Sequence, residues 1–198
     1  MDRLQYLKAH TPTIFSPNCW GGLTYHSLGL PFMSPLINMW ESHEDYLKLL
    51  SDPHYYMSLE PVFLETLDNG KWPPYPVVML GDVKIHMNHY KDFDHAMECW
   101  HRRIGRIRWD DLFVMFFSED PGMVERFLRL PYKRKICLVP WESKDPGIIS
   151  VPYKEKDALK DLEFWYVANK IALGDLTLYD PIELLFSGSY KKTGDLLG

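Results

Sequence analysis

Val77-Val78-Met79-Leu80-Gly81-Asp82-Val83-Lys84-Ile85-His86 opens as an unbroken apolar run and closes in alternation. A strand covered on both faces is apolar throughout, and a strand with one wet face alternates. Read as one strand, the segment is buried at its start and emerges at an edge or cleft. Asp82, Lys84 and His86 then share one face, while Val83, Ile85 and Met87 share the other. Just upstream, Trp72-Pro73-Pro74-Tyr75-Pro76 is a rigid lead-in, because proline fixes φ and lacks the N–H that helix interiors and central strands use. Downstream, Asp92 caps a helix whose Phe93, Ala96, Met97, Trp100, Ile104 and Ile107 recur at helical spacing, and Trp109 to Asp111 ends it.

The same alternation of strand and helix continues in both directions. Residues 112–117 read as a strand, 123–130 as a helix, 135–139 as a strand and 147–151 as an edge strand. A longer helix over 156–171 and a turn after Asp180-Pro181 complete the C-terminal side. Towards the N-terminus, residues 11–15 form a short buried strand that ends at Ser16-Pro17-Asn18 and turns through Gly21-Gly22. A helix over 43–50 takes Ser42 as its N-cap, and Pro53 to Tyr56 opens a further turn. Strands alternating with helices predict an α/β fold: one three-layer α/β/α domain over residues 1–198, with a mainly parallel sheet covered on both faces.

Composition excludes several classes. With 46% hydrophobic and 25% charged residues in 198, the chain has an ordinary globular balance, which argues against disorder and fibrous structure. No stretch approaches the ~18 uninterrupted apolar residues of a spanning helix, and Lys8, His10 and Pro12 interrupt any signal-peptide core, so a cytoplasmic protein is expected. Twenty-two Lys and Arg against 27 Asp and Glu give a net charge of −5, which attracts neither nucleic acid nor an anionic membrane. Lys133-Arg134-Lys135 keeps a turn soluble. Cys19, Cys99 and Cys137 are odd in number, far apart and in no CxxC pair, which fits reduced thiols better than disulfides or a thiolate zinc site.

Candidate chemistry starts at the first turn. A strand leading through glycines into a helix sets backbone N–H groups at the carboxyl end of a parallel sheet, where anions bind. Asn18, Gly21 and Gly22 are therefore candidate binding residues; alternatively the glycines only let turn and helix pack closely. Neither GxGxxG nor GxxxxGK[ST] is present. Cys19 is a candidate nucleophile if a base lies beside it, with His86 or His89 as base and Asp82 as orienter. Asp82, His86 and His89 are also ligand types for a metal, but on one continuing strand His86 and His89 point to opposite faces, so no metal site is assigned. Asp92-Phe93-Asp94 spells an acid-x-acid pattern, which helix capping explains more simply. Arg103 flanks the buried edge of its helix and is the candidate for holding a phosphate or carboxylate.

Taken in order, several blocks resemble one family. Ser16-Pro17-Asn18-Cys19-Trp20-Gly21-Gly22 with Tyr25, Leu28-Gly29-Leu30-Pro31 and Ser34-Pro35 is similar to the opening of an uncharacterised bacterial family found with exopolysaccharide and capsule biosynthesis genes. Leu80 to His86 with His89-Tyr90, the helix with Trp100, Arg103 and Arg106, and Trp109 to Val114 are similar to the same family, so the resemblance covers roughly residues 10–190. Pro17 departs from it, standing where a polar residue is expected. The resemblance implies a role in surface polysaccharide production and a three-layer α/β/α fold, without an assigned reaction. The leading expectation is a glycosyltransferase-like enzyme on a nucleotide sugar or glycan intermediate. There the first turn and Arg103 would hold the donor, His89 would contact substrate, and Asp82 or His86 would be the base. The alternatives are a Cys19-dependent acyl transferase or hydrolase, and a non-catalytic glycan-binding module. No cofactor follows from the sequence.

Overall fold

The structure is a computed structural model that describes residues 2–70, 72–188 and 190. In chain order the elements are α1 (Arg3–Ala9), β1 (Thr13–Phe15), α2 (Trp20–Ser27), α3 (His43–Ser51), α4 (Pro53–Ser58), β2 (Val62–Leu67), β3 (Tyr75–Leu80) and β4 (Val83–His86). They continue as α5 (Phe93–Ile104), β5 (Leu112–Phe117), α6 (Pro121–Leu128), β6 (Lys135–Val139), β7 (Ile148–Ser150), α7 (Phe164–Leu173) and α8 (Pro181–Ser187). Four strands form a parallel sheet in the order β1-β5-β6-β7, and β2-β3-β4 form a small antiparallel sheet.

Side chains of the parallel sheet divide between two cores, as period-two alternation requires. Ile14, Phe113, Met115, Phe117, Ile136, Leu138 and Ile149 face Trp20 and Tyr25 of α2, Val167 and Ile171 of α7, and Leu184 of α8. Phe15, Val114, Phe116, Cys137, Val139 and Ile148 face Tyr46 and Leu50 of α3, Trp100 of α5, Phe127 of α6, and Val78 and Ile85 of the second sheet. The sheet is thus buried on both faces, which is why Phe113 to Phe117 carry no polar residue. At the edge strand β1, the Tyr25 hydroxyl stands in for a neighbouring strand, accepting from Ile14 N (2.7 Å) and donating to Pro12 O (2.8 Å).

The expected caps are found where side-chain chemistry puts them: Ser42 accepts from Asp45 N and Asp92 from His95 N; Asp120, not expected as a cap, accepts from Gly122 N and starts its helix at Pro121. Several expectations need correction, beginning with the helix capped by Asp92, which ends at Ile104 and leaves Ile107 outside it. The stretch from Val77 to His86 is not one strand but a hairpin, with Leu80 paired to Val83 and Val77 to His86. Gly81, at φ +64°, makes the reversal, and the switch from unbroken to alternating hydrophobicity marks the turn rather than an emerging strand. Residues 156–163 are not part of the helix expected over 156–171, which begins only at Phe164. Asp180-Pro181 opens α8 rather than a terminal turn, because proline suits the first helical position and Asp180 caps Ile182 N.

Candidate functional site

The loops that leave β1 and β5 at their carboxyl ends line a cavity of about 1220 Å³, where open parallel sheets commonly bind ligands. Pro17, Asn18 and Cys19 contribute from the β1 side, Ser118 and Asp120 from the β5 side, and Asn169 from α7. Trp40, Trp72, Tyr75, Trp165 and Tyr166 give the walls an aromatic character.

The β1 turn is rigidly wired. Ser16 Oγ accepts from Gly21 N (3.0 Å) and donates to Asn18 O (2.8 Å). Asn18 Oδ1 accepts from Trp20 N (3.0 Å), and its Nδ2 donates to Asn169 Oδ1 (3.0 Å). Two of the amides expected to greet an anion are therefore already engaged. Gly21 and Gly22 are buried and outside the cavity lining. A Cβ on Gly21 would meet Ser16 Oγ at 2.9 Å and Ile14 Cγ2 at 3.1 Å, and one on Gly22 would meet Ile37 Cγ2 at 3.3 Å. Close packing of α2 on β1 is what these glycines serve, which corrects their expected role in binding.

Cys19 stands at the N-cap of α2, and its Sγ lies 3.2 Å from Nε2 of His89. Two backbone links bring them together. Glu41 N donates to Pro17 O, fastening the 40–41 segment to the Cys19 turn, and Trp40 exchanges both backbone hydrogen bonds with His86, fastening the same segment to the end of β4. His89 follows three residues later, on a loop held by Met87 N to Pro76 O and by the Tyr90 hydroxyl to Ile37 O. A helix N-terminus ordinarily lowers a thiol's pKa. Here burial outweighs it, with Glu41 adding to the effect, and pushes Cys19 up to about 11. Burial also lowers His89. At rest the pair is a thiol beside a neutral imidazole.

Other expected residues lie elsewhere. Asp82 is at the hairpin tip, outside the cavity lining, where its carboxylate accepts from the Tyr56 hydroxyl (2.8 Å) and pairs with Lys48 (3.2 Å). Those two partners, Tyr56 first, hold its pKa below the usual range. It does not orient His89, which has no second hydrogen-bond partner among the described residues. His86 stacks on Trp40 with ring centroids 3.8 Å apart, backing the cavity wall without lining it; burial, and then Lys84, push it down to about 4. Arg103 is 5% exposed and donates to the Tyr90 hydroxyl with its guanidinium over Phe32, so it braces the His89 loop and is not in the cavity lining. Among the described residues no three His, Cys, Asp or Glu side chains group as a metal site, so Asp82, His86 and His89 do not assemble.

Among the lining residues that sequence reasoning missed are Ser118, His43 and Glu41. Ser118 immediately follows β5, and the preference of ligands for carboxyl ends of parallel strands was a usable signal for it. His43 opens α3 and reaches Ser118 Oγ at 3.4 Å through Nδ1. Glu41 is 4% exposed, and both carboxyl oxygens are buried without a hydrogen-bond partner among the described residues. Burial, then Asp45, raise it to about 8. Nothing in Trp40-Glu41-Ser42 marks Glu41 as buried.

Fold and site together define an α/β protein with a cavity at the carboxyl rim of a parallel sheet and a Cys–His pair on its wall. Residues 1–173 match the family described as "Domain of unknown function (DUF1919)", and the chain belongs to that family. A protein of Haemophilus influenzae named "Uncharacterized protein" is similar, at 35% identity over 128 residues, which is 63% of this chain. The chain spans 59% of the length of that relative. Among the described residues no helix is long and apolar enough to cross a membrane.

Proposed function

We propose that this protein is a cysteine-dependent acyl transferase or hydrolase that works on a glycan in bacterial surface-polysaccharide production. The observation that carries the reading is the 3.2 Å contact between Cys19 Sγ and His89 Nε2 on the cavity wall. His89 takes the thiol proton as Sγ attacks the acyl carbon, and the leaving group takes that proton as its bond to the acyl group breaks. A hydroxyl of water or of a sugar then attacks the thioester. His89 accepts its proton and returns it to sulfur, so the thiol is regenerated and the acyl group leaves as acid or ester.

The polysaccharide setting rests on the ordered sequence blocks and on the Trp and Tyr walls, whose flat faces suit the apolar side of sugar rings. Direct sugar transfer from a nucleotide sugar is less well supported. The lining residues Lys154 and Lys160 already pair with Glu119 and Asp157, and Glu119, Asp120 and Glu163 line the same cavity. A nucleotide diphosphate meets little compensating charge there. Incubation with p-nitrophenyl acetate followed by mass spectrometry tests the cysteine reading. One acetyl group on Cys19, lost in Cys19→Ala and formed at least ~100-fold more slowly in His89→Ala, is the expected result. An unacylated Cys19, or an unchanged rate without His89, overturns it.

A further inference from the structure

The cavity carries a second histidine that this mechanism does not use. Ser118 Oγ is buried and accepts a hydrogen bond from Asp120 N at 3.0 Å. A hydroxyl has one proton to give, and the acceptor in reach is His43 Nδ1 at 3.4 Å. If Nδ1 accepts, the single N–H of the neutral ring is on Nε2. Nε2 has no hydrogen-bond partner among the described residues, and His43 lines the cavity. Edge-to-face contacts with Phe116 and Phe117, at centroid distances of 4.8 and 5.2 Å, fix the ring's orientation.

We propose that His43 is the electrophilic group of this site: Ser118 holds its ring as the Nε2–H tautomer, which donates a hydrogen bond to the substrate's acyl carbonyl oxygen while Cys19 attacks the carbon. This role rests on the cysteine reading above. β1 and β5 are parallel neighbours, with Phe15 paired to Val114, so Cys19 and Ser118 leave the sheet at the same rim. As the Cys19 proton passes to His89 and the C–S bond forms, negative charge gathers on the carbonyl oxygen. The His43 N–H stabilises that charge without giving up its proton. It is released when the carbonyl re-forms and the leaving group departs with the proton held by His89. Burial lowers the pKa of His43, and the opposing effect of Asp120 is smaller, so the ring stays neutral at pH 7. Glu119, the other carboxylate of that loop, is paired with Lys154. A neutral imidazole is a suitable donor here, because it polarises a carbonyl without bringing a buried positive charge.

Two measurements on the full chain test the proposal. Long-range ¹H–¹⁵N spectra of ¹⁵N-labelled protein at pH 7 should show His43 protonated at Nε2 alone, and Ser118→Ala should release it to a mixture of tautomers. A ring protonated at Nδ1, or at both nitrogens, overturns the assignment. With p-nitrophenyl acetate as probe, His43→Ala should slow acetylation of Cys19 by roughly 100-fold or more, and His43→Gln, whose amide can donate, should recover part of the loss. Normal acetylation in a folded His43→Ala variant overturns this role and leaves the cysteine reading standing. A wild-type protein that stays unacylated overturns both. If His43→Ala fails to fold, the wild-type tautomer and the His43→Gln rate decide.

Discussion

Sγ of Cys19 and Nε2 of His89 lie 3.2 Å apart across 70 residues of sequence, and no carboxylate among the described residues holds the far side of the imidazole. The pair therefore depends on backbone for its alignment. Pro17, Glu41, Trp40 and His86 form the bridge, in which His86 contributes both peptide hydrogen bonds and a stacking face.

With the thiol raised to about 11, Cys19 should be a slow nucleophile towards iodoacetamide at pH 7, since its thiolate fraction there is on the order of 10⁻⁴. The labelling rate should climb with pH between 7 and 10, by at most about tenfold per pH unit and less steeply where Glu41 ionises near pH 8. Cys137, fully buried and raised further, should stay unlabelled in the native protein. Rapid labelling of Cys19 at neutral pH, read by peptide mass spectrometry, would contradict the thiol resting state.

Asp82→Asn should leave acetylation of Cys19 unchanged and the melting temperature close to that of wild type. Its carboxylate is 70% exposed at a hairpin tip, where ion pairs contribute little. A loss of acetylation in a variant with the wild-type melting temperature would restore Asp82 to the site.

How far the sequence could be read follows from which signals are local. β5 and β6 were legible to the residue, because a strand buried on both faces leaves an unbroken apolar run between polar ends. The caps Ser42 and Asp92 are short-range hydrogen bonds and follow local rules as well. The hairpin is masked because the apolar pattern runs through Gly81-Asp82 without a break, although Gly followed by Asp is a known reversal signal. Reading through it moves Asp82 to the wrong end of the molecule. Cys19 and His89 were both legible as chemical types. Their meeting was not, since it depends on the 40–41 segment joining two separate loops. Glu41 left no trace, because burial of a single carboxyl is a property of packing.

Gly21→Ala should destabilise the protein by roughly 1–3 kcal/mol in denaturant titration, because its Cβ would press on Ser16 Oγ and the branched Ile14 side chain. Gly105→Ala should be close to neutral. That glycine has nothing within 4 Å of a built Cβ, and its φ of −72° suits any residue. Equal effects at the two positions would mean that α2 can shift on β1 at little cost.

Glu41 gives the sharpest pH signature. Burial, with Asp45 adding to it, lifts the carboxyl to about 8 in the folded chain from an ordinary value of 4.5. Between those values the unfolded chain has lost a proton that the folded chain keeps. Stability contributed by this group is therefore greatest at acid pH and falls as pH rises towards 8, by at most about 1.4 kcal/mol per pH unit. Glu41→Gln keeps the shape and removes the titration, so its melting temperature minus that of wild type should grow from pH 5 to 8 and then level. Above pH 8 the ionised Glu41 opposes the Cys19 thiolate, so at pH 9 the variant should label with iodoacetamide several-fold faster than wild type. Cys19, Tyr46 and Asp45 titrate or carry charge around Glu41 in both proteins, and the difference between variant and wild type cancels most of their own effects. Parallel melting profiles from pH 5 to 8 would show that Glu41 is ionised throughout, and its sealed carboxyl would then require a cationic partner.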